Sequence, residues 1–140
     1  MKKNESIRRI MSAQLVTVHH GDPVSKVRQL IAQHGIHHVP VVSGENLVGI
    51  ISASDILRVS FGDTFNTDQR TVDATLDHTF SIEGLMQKSP ITLSATGSIR
   101  DAAEILAKNQ FHALPVVDGE KLVGIVTSTD LIQYLLEQLE

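Results

Sequence analysis

Two short polar motifs in this 140-residue chain pair hydroxyl side chains with an aspartate, and each follows an apolar run. Their members are Ser52, Ser54 and Asp55 in the first motif and Thr127, Thr129 and Asp130 in the second. If a helix begins at each motif, its unpaired N–H groups and positive dipole end attract phosphate. A carboxylate there can accept hydrogen bonds from the hydroxyls of a ribose, as acidic residues do in dinucleotide-binding folds. The pattern suits a sugar phosphate and requires no nucleophile, general base or metal.

The same spacing also has a purely structural interpretation. A Ser or Thr at the helix start with an acidic residue three positions later forms a capping box, in which each side chain bonds to the other residue's backbone N–H. The residues alone leave both interpretations open.

The two motifs lie in two copies of one segment. Residues 11–57 align without a gap with residues 86–132, at a constant offset of 75 (86 − 11 = 75). Residues 37–50 and 112–125 are identical at ten of fourteen positions. A repeat of this kind fixes the architecture. Two such copies predict a pseudo-twofold core, with ligand clefts where the copies meet.

Each copy predicts the order strand, helix, strand, strand, helix, and therefore an α/β fold. In the first copy Asp22 is the expected N-cap, with Pro23 at the first helical position and Gly35 as the stop. In the second copy Ser98 and Asp101 form a capping pair. A hairpin and a final helix complete each copy.

We predict one repeat over residues 1–60 and a second over residues 81–140, joined by a connector over residues 61–80 with short helical pieces. Short lead-in helices are expected near residues 6–11 and 81–86. Pro40 and Pro115 cannot donate to a β-ladder, which predicts that each lies at the start or edge of a strand.

Composition excludes several classes of protein. The net charge of −4 argues against broad nucleic-acid binding, since neutralising phosphates needs clustered Lys and Arg. The chain has no cysteine, which excludes disulfides and thiolate metal sites and fits a cytoplasmic protein. No apolar run is long enough to span a bilayer, and no secretion signal is apparent. No catalytic fingerprint is found, so we do not expect an enzyme.

The whole chain resembles a tandem pair of cystathionine-β-synthase (CBS) domains, or Bateman module. The likeness is carried by the His-x-hydrophobic-Pro-Val-Val stretches, the Gly-Glu turns, the Leu-Val-Gly-Ile strands and the Ser/Thr-x-x-Asp motifs, together with Met11, Met86, Thr17 and Thr92. It covers nearly everything except the connector and the extreme termini.

The resemblance implies a regulatory module that binds an adenosine compound, AMP or ATP first, with ADP, S-adenosylmethionine or dinucleotides as further possibilities. It implies no required cofactor. One cleft would use Thr127, Thr129 and Asp130 with Thr17, His37, His38 and Pro40. The other would use Ser52, Ser54 and Asp55 with Thr92, Phe111, His112, Ala113 and Pro115. Candidates for holding the adenine are Val16, Ile36, Ile91 and Phe111.

The chain departs from well-equipped nucleotide binders at the residue before each aspartate. Ser54 and Thr129 stand where some family members carry Lys or Arg. Phosphate neutralisation then falls to His38, whose counterpart in the second copy is Ala113, or to cations outside the motif. We therefore predict that the Asp130 cleft binds a charged nucleotide better and that polyphosphate affinity is modest.

Two alternatives remain open. One is a structural or dimerisation module with degenerate clefts and no ligand. The other is a metal site, because five of the seven histidines lie between residues 19 and 38, although no carboxylate or thiol stands at ligand spacing. The resemblance implies a flat homodimer. We expect the apolar faces of the terminal helices, such as Leu135, Leu136 and Leu139, to be covered by a neighbouring chain or by the other repeat. Because nothing else is fused to the chain, its effector is expected to be a separate protein.

Overall fold

The computed structural model describes residues 4–60 and 68–140, so residues 61–67 of the predicted connector lie outside the described residues. The described residues form a mixed α/β fold, as predicted. The helices are α1 (Val24–His34), α2 (Ala53–Ser60), α3 (Gln69–Thr79), α4 (Ile82–Leu85), α5 (Ile99–Lys108) and α6 (Ser128–Gln138), with one 3-10 turn at Ile7–Arg9. The strands are β1 (Val18–His19), β2 (His38–Ser43), β3 (Asn46–Ser52), β4 (Gln87–Lys88), β5 (Leu93–Ser94), β6 (Ala113–Asp118) and β7 (Lys121–Thr127).

The chain divides into two compact units, and these are not the same segments as the sequence repeats. One unit contains residues 1–15 and 91–140, and the other contains residues 16–90. The lead-in turn of the first repeat therefore packs with the second repeat. Likewise α4, the lead-in helix of the second repeat, packs with the first.

Both units use the same strand arrangement. In residues 16–90, β1 is parallel to β2 with Val18 opposite Val41, and β2 pairs antiparallel with β3. In residues 91–140, β5 is parallel to β6 with Leu93 opposite Val116, and β6 pairs antiparallel with β7. The registers are equivalent at the offset of 75. They confirm the predicted order of strand, helix, strand, strand and helix in each repeat.

Contrary to the prediction, neither proline lies at the start of a strand or on an edge strand: Pro40 and Pro115 are the third residues of β2 and β6, and both strands are paired on two sides. Pro40 is one residue before β1 begins to pair with β2, and Pro115 is one residue before β5 begins to pair with β6. The missing N–H of each proline therefore lies just outside the parallel pairing. On the other side of the strand, Pro40 is opposite Ile50 and Pro115 is opposite Ile125 in the antiparallel hairpin.

Each unit has its own apolar core. In residues 16–90 the core lies between the hairpin and helices α1, α3 and α4, and its largest fully buried side chains are Ile51, Leu76 and Ile82. In the other unit Ile7 of the lead-in turn is fully buried with Leu114 and residues of α5 and α6. No described helix is long and apolar enough to cross a membrane.

A methionine from each lead-in segment packs directly on a hairpin glycine. A Cβ placed on Gly49 would lie 2.5 Å from Sδ of Met86, and a Cβ on Gly124 would lie 2.5 Å from Sδ of Met11. The sulfur therefore takes the space that any other residue's side chain would need. This contact explains why glycine occupies the middle of strands β3 and β7, where it is otherwise unfavourable.

The expected cap of α1 is wrong. Asp22 does not cap the helix, because its carboxylate accepts from the N–H of His19 and pairs with Lys26, and the N-cap is Pro23. The helix start is capped instead by Asp77 of α3, which accepts from the N–H and the hydroxyl of Ser25 at 2.8 and 2.7 Å. Gly35 ends α1 in the left-handed conformation, as predicted.

The described part of the connector is an 11-residue helix, longer than the short helical pieces we expected. Asp68 caps α3 by accepting from the N–H of Thr71. Besides the bonds of Asp77, a two-pronged ion pair joins α3 to α1, with the Arg28 guanidinium on both oxygens of Asp73 at 2.6 and 2.9 Å. The connector helix is thus fastened to the first repeat by polar contacts.

Candidate functional site

Helix α6 begins with a complete capping box. The N–H and hydroxyl of Thr127 donate to Oδ2 of Asp130 at 2.8 and 3.1 Å, and the N–H of Asp130 donates to the Thr127 hydroxyl at 3.3 Å. The capping box predicted as the structural interpretation of the motif is therefore present, and it uses Oδ2 of Asp130. The other oxygen, Oδ1, makes no hydrogen bond or ion pair within the described residues.

The first repeat builds the same arrangement at α2. The N–H and hydroxyl of Ser52 both donate to Oδ2 of Asp55 at 2.9 Å, and the N–H of Asp55 donates back to the Ser52 hydroxyl at 3.2 Å. Here Oδ1 is also engaged, because Nη2 of Arg58 donates to it at 2.7 Å. The two aspartates share their backbone setting and differ in the use of one oxygen.

The histidine stretches lie beside these helix starts in their own units. The carbonyl of His37 accepts from the N–H of Ala53, the first residue of α2, at 2.8 Å. The carbonyl of His112 accepts from the N–H of Ser128, the first residue of α6, at 2.9 Å. Nδ1 of His112 also lies 3.5 Å from the Ser128 hydroxyl. The backbone thus fastens the entry of β2 and β6 to the helix that carries each aspartate.

The next residues along each hairpin strand lie opposite the hydroxyl that opens the motif. His38 pairs with Ser52 across β2 and β3, and Ala113 pairs with Thr127 across β6 and β7. Ala113 is buried, whereas the side chain of His38 is half-buried. The imidazole therefore has no counterpart in the second repeat, as the sequence indicates.

The remaining predicted site residues are placed as follows. Thr17 and Thr92 precede β1 and β5 and are half-buried. Ser54 and Thr129 are exposed on the first turns of α2 and α6. Ile36 and Phe111 are partly buried and pack against the cores of their units, while Ile91 is 47% exposed. The prediction that residues of both repeats complete each cleft stays a prediction.

In the histidine-rich segment, the Nδ1 atoms of His19 and His20 already have hydrogen-bond partners within the protein. His20 is bound through Nδ1 to Glu83 at 2.7 Å, and Nδ1 of His19 accepts from the N–H of Gly21. No group of three or more His, Asp or Glu side chains is placed to hold a metal ion in the described ranges 4–60 and 68–140.

Two contacts were not predicted from the sequence. The contact of Arg58 with Asp55 could have been predicted, because residues three positions apart on a helix are neighbours on its surface. The bonds of Asp77 to α1 could not, because Asp77 lies 52 residues from Ser25 in the chain.

Comparison with known proteins matches both repeats. The family model for the CBS domain matches residues 7–62 and 82–137. A CBS domain-containing protein of Dictyostelium discoideum is 30% identical over 139 residues, which cover 96% of this chain and 93% of that protein. Three longer curated relatives also match, and the chain spans only 48%, 21% and 33% of their lengths.

Two solved structures match nearly the whole chain. The CBS domain pair of protein MJ0100, in complex with 5′-methylthioadenosine and S-adenosyl-L-methionine, has a TM-score of 0.75 and 26% identity, covering 93% of this chain and 98% of that one. CBSX2 in complex with AMP has a TM-score of 0.81 over 97% of this chain and 99% of that one. At 24% identity the second likeness shows the fold alone.

Proposed function

Because this chain belongs to the CBS domain family and carries two CBS domains in tandem, we propose that it is a regulatory module that binds an adenosine compound, AMP first. The ligands named for two related structures, AMP for one and S-adenosyl-L-methionine with 5′-methylthioadenosine for the other, support an adenosine group. The family model that matches both repeats is the CBS domain, which supports a regulatory role rather than that of an enzyme.

The observation that carries the proposal is the uncommitted Oδ1 of Asp130. The capping box holds the carboxylate in one orientation through Oδ2, so Oδ1 is fixed without being used by the described residues. A charged acceptor held in place in this way is suited to the hydroxyls of a ribose, because hydrogen bonds to charged groups are stronger than neutral ones. Because the capping box already holds the Asp130 side chain in one rotamer, ligand binding would cost little further side-chain entropy.

The other predicted residues take supporting roles in this proposal. The exposed hydroxyls of Ser54 and Thr129 would donate to phosphate oxygens, and His38 would add a cation when protonated. The adenine would contact residues among Val16, Ile36, Ile91 and Phe111. Two clefts are proposed. Besides the residues just named, the Asp130 cleft would use Thr127, Thr17, His37 and Pro40, and the Asp55 cleft would use Ser52, Thr92, His112, Ala113 and Pro115.

Binding would be read by another protein. A ligand shifts a protein between conformations only by its different affinities for them, and the 1–3 kcal/mol typical of such coupling is available from a few charge-assisted hydrogen bonds. We propose a separate effector protein as the reader. The absence of cysteine from all 140 residues agrees with a cytoplasmic location for this exchange.

Calorimetric titration of AMP tests the proposal. We expect AMP to bind the wild type and to lose binding in the Asp55→Ala/Asp130→Ala double variant. The matched control is Asp101→Ala, because Asp101 belongs to an equivalent capping box with Ser98 on α5. Equal AMP binding by the wild type and the double variant, with both folded by circular dichroism, would contradict the proposal.

A second candidate function, dimerisation without a ligand, is favoured by exposed apolar side chains on α6 and at its C-cap. Ile132, Leu136 and Leu139 are 58%, 60% and 71% exposed. Contiguous exposed apolar side chains mark association surfaces. Analytical ultracentrifugation of the wild type and Leu136→Asp checks this role: we expect a dimer that the charge converts to a monomer, and a monomeric wild type excludes it.

A further inference from the structure

The two aspartates differ in the residue one helical turn later. On α2 that residue is Arg58, whose Nη2 donates to Oδ1 of Asp55 at 2.7 Å. The equivalent position on α6 is Gln133, at the offset of 75. No described residue takes the corresponding oxygen of Asp130. The oxygen proposed to receive the ribose is thus occupied in one repeat and unoccupied in the other.

We infer that Arg58 lowers the ligand affinity at Asp55 because its guanidinium competes with the ribose hydroxyls for the carboxylate. This inference rests on the proposed function, because it assumes that the carboxylates of Asp55 and Asp130 receive the sugar. A ligand at Asp55 must first displace the guanidinium, whereas at Asp130 no side chain of the described residues has to leave Oδ1. The competition comes from within α2 and needs no partner.

The size of this competition follows from exposure. The Arg58 side chain is 70% exposed and that of Asp55 is 22% exposed, so water and salt weaken the pair. Exposed ion pairs of this kind change equilibria by at most about fivefold. Arg58 therefore lowers the affinity at Asp55 without abolishing it, and raised salt reduces the difference between the two repeats.

The experiment exchanges the residues at positions 58 and 133 and uses adenosine as the probe. Adenosine has no phosphate, so it cannot form a new ion pair with the displaced Arg58 that would mask the competition. In the Asp130→Ala background, which leaves only the Asp55 site, R58Q is expected to tighten adenosine binding about two- to fivefold. In the Asp55→Ala background, Q133R is expected to weaken binding at Asp130 by a similar factor. The reciprocal change separates a specific contact from a general effect on folding.

The matched control is R100Q, which removes a 65% exposed arginine that pairs with Glu104 on α5 at 3.0 Å. It changes the net charge equally and is expected to leave adenosine binding unchanged. Melting temperatures verify that every variant is folded.

The inference is overturned if R58Q in the Asp130→Ala background leaves adenosine affinity unchanged or weakens it. Failure of the proposed function looks different: the Asp55→Ala/Asp130→Ala variant would then bind adenosine as tightly as the wild type, whatever residue stands at position 58. A wild type that binds no adenosine or AMP at all overturns both.

Discussion

The two repeats hold their aspartates in the same way and surround them differently. Ser52 with Asp55 and Thr127 with Asp130 form the same reciprocal bonds, within a few tenths of an ångström. Arg58 then occupies the second oxygen in the first repeat only. A capping box therefore orients a carboxylate in both repeats, and the residue one turn later determines whether its second oxygen already has a partner.

The first long helix of each repeat shows a second difference of the same kind. Helix α5 is capped by its own Ser98 and Asp101, whereas α1 is capped by Asp77, which lies far along the chain on α3. The start of α1 therefore depends on the connector helix, and the start of α5 does not. The two repeats are therefore alike in contacts between residues close in sequence and differ in contacts with residues far along the chain, such as Asp77.

The largest expected effect concerns the unequal aspartates. Asp130→Ala should weaken AMP binding at its site by about 10- to 100-fold, since a charge-assisted hydrogen bond contributes about 1.5–3 kcal/mol. Asp55→Ala should cost less, because in the wild type Arg58 already opposes binding there. Calorimetry of the two single variants makes the comparison, and equal losses would show that the repeats are equivalent in binding.

The contact of a methionine with a strand glycine, in contrast, occurs in both repeats. Gly49→Ala and Gly124→Ala each place a Cβ against a methionine sulfur, so each should lower the free energy of unfolding by about 1–2 kcal/mol. Urea denaturation measures the loss. Truncating the facing residue, as Met11→Ala in the Gly124→Ala variant, should make the combined loss smaller than the sum of the two. Additive losses would mean that the contact does not restrict this position.

The distant cap of α1 gives the third prediction. Asp77→Ala should cost about 1 kcal/mol, a typical loss for a helix cap, and should speed hydrogen exchange at the N–H of Ser25. Ser98→Ala should cost a similar amount at α5 without affecting Ser25. The exposed Glu120 provides a charge-matched control as Glu120→Ala. Unchanged exchange at Ser25 in the Asp77 variant would remove the cap from this description.

The smallest effect concerns the ion pair between α1 and α3. The hydrogen bonds from Arg28 hold the pKa of the Asp73 carboxyl below its ordinary value. A lowered folded-state pKa adds stability that is fully present above about pH 4, the ordinary Asp value, and is lost as pH falls through the lowered pKa. Asp73→Asn should therefore lower the free energy of unfolding by up to about 1 kcal/mol at neutral pH, with a difference that shrinks on acidification. A difference independent of pH would contradict the assignment.

Much of the fold could be predicted because its signals are local. The Ser98–Asp101 and Thr127–Asp130 boxes, the stop at Gly35 and the two hairpins are each specified by neighbouring residues, and all are present. The hairpins and the Ser/Thr-x-x-Asp motifs occur in both repeats, so each of these signals is present twice. Membership of the CBS domain family was predicted for the same reason.

The features that were missed depend on tertiary contacts. Helix α3 has few aliphatic residues in its sequence, and it is held by the buried Leu76 together with Asp73 and Asp77. Asp22 had the right type and place for a cap, but the N–H of His19 and the Lys26 ammonium competed for its carboxylate. Where a polar side chain has several partners within reach, spacing alone does not choose among them.

The ribose contact of Asp130 is tested most directly by removing the hydroxyls from the ligand. AMP and 2′,3′-dideoxy-AMP are titrated into the Asp55→Ala protein and into Asp55→Ala/Asp130→Ala. With Asp130 present, we expect the loss of both hydroxyls to weaken binding about tenfold or more, and without Asp130 to change it less than about twofold. Equal affinity for the two ligands when Asp130 is present, or an equal loss in both proteins, would contradict the assignment of this carboxylate to the sugar.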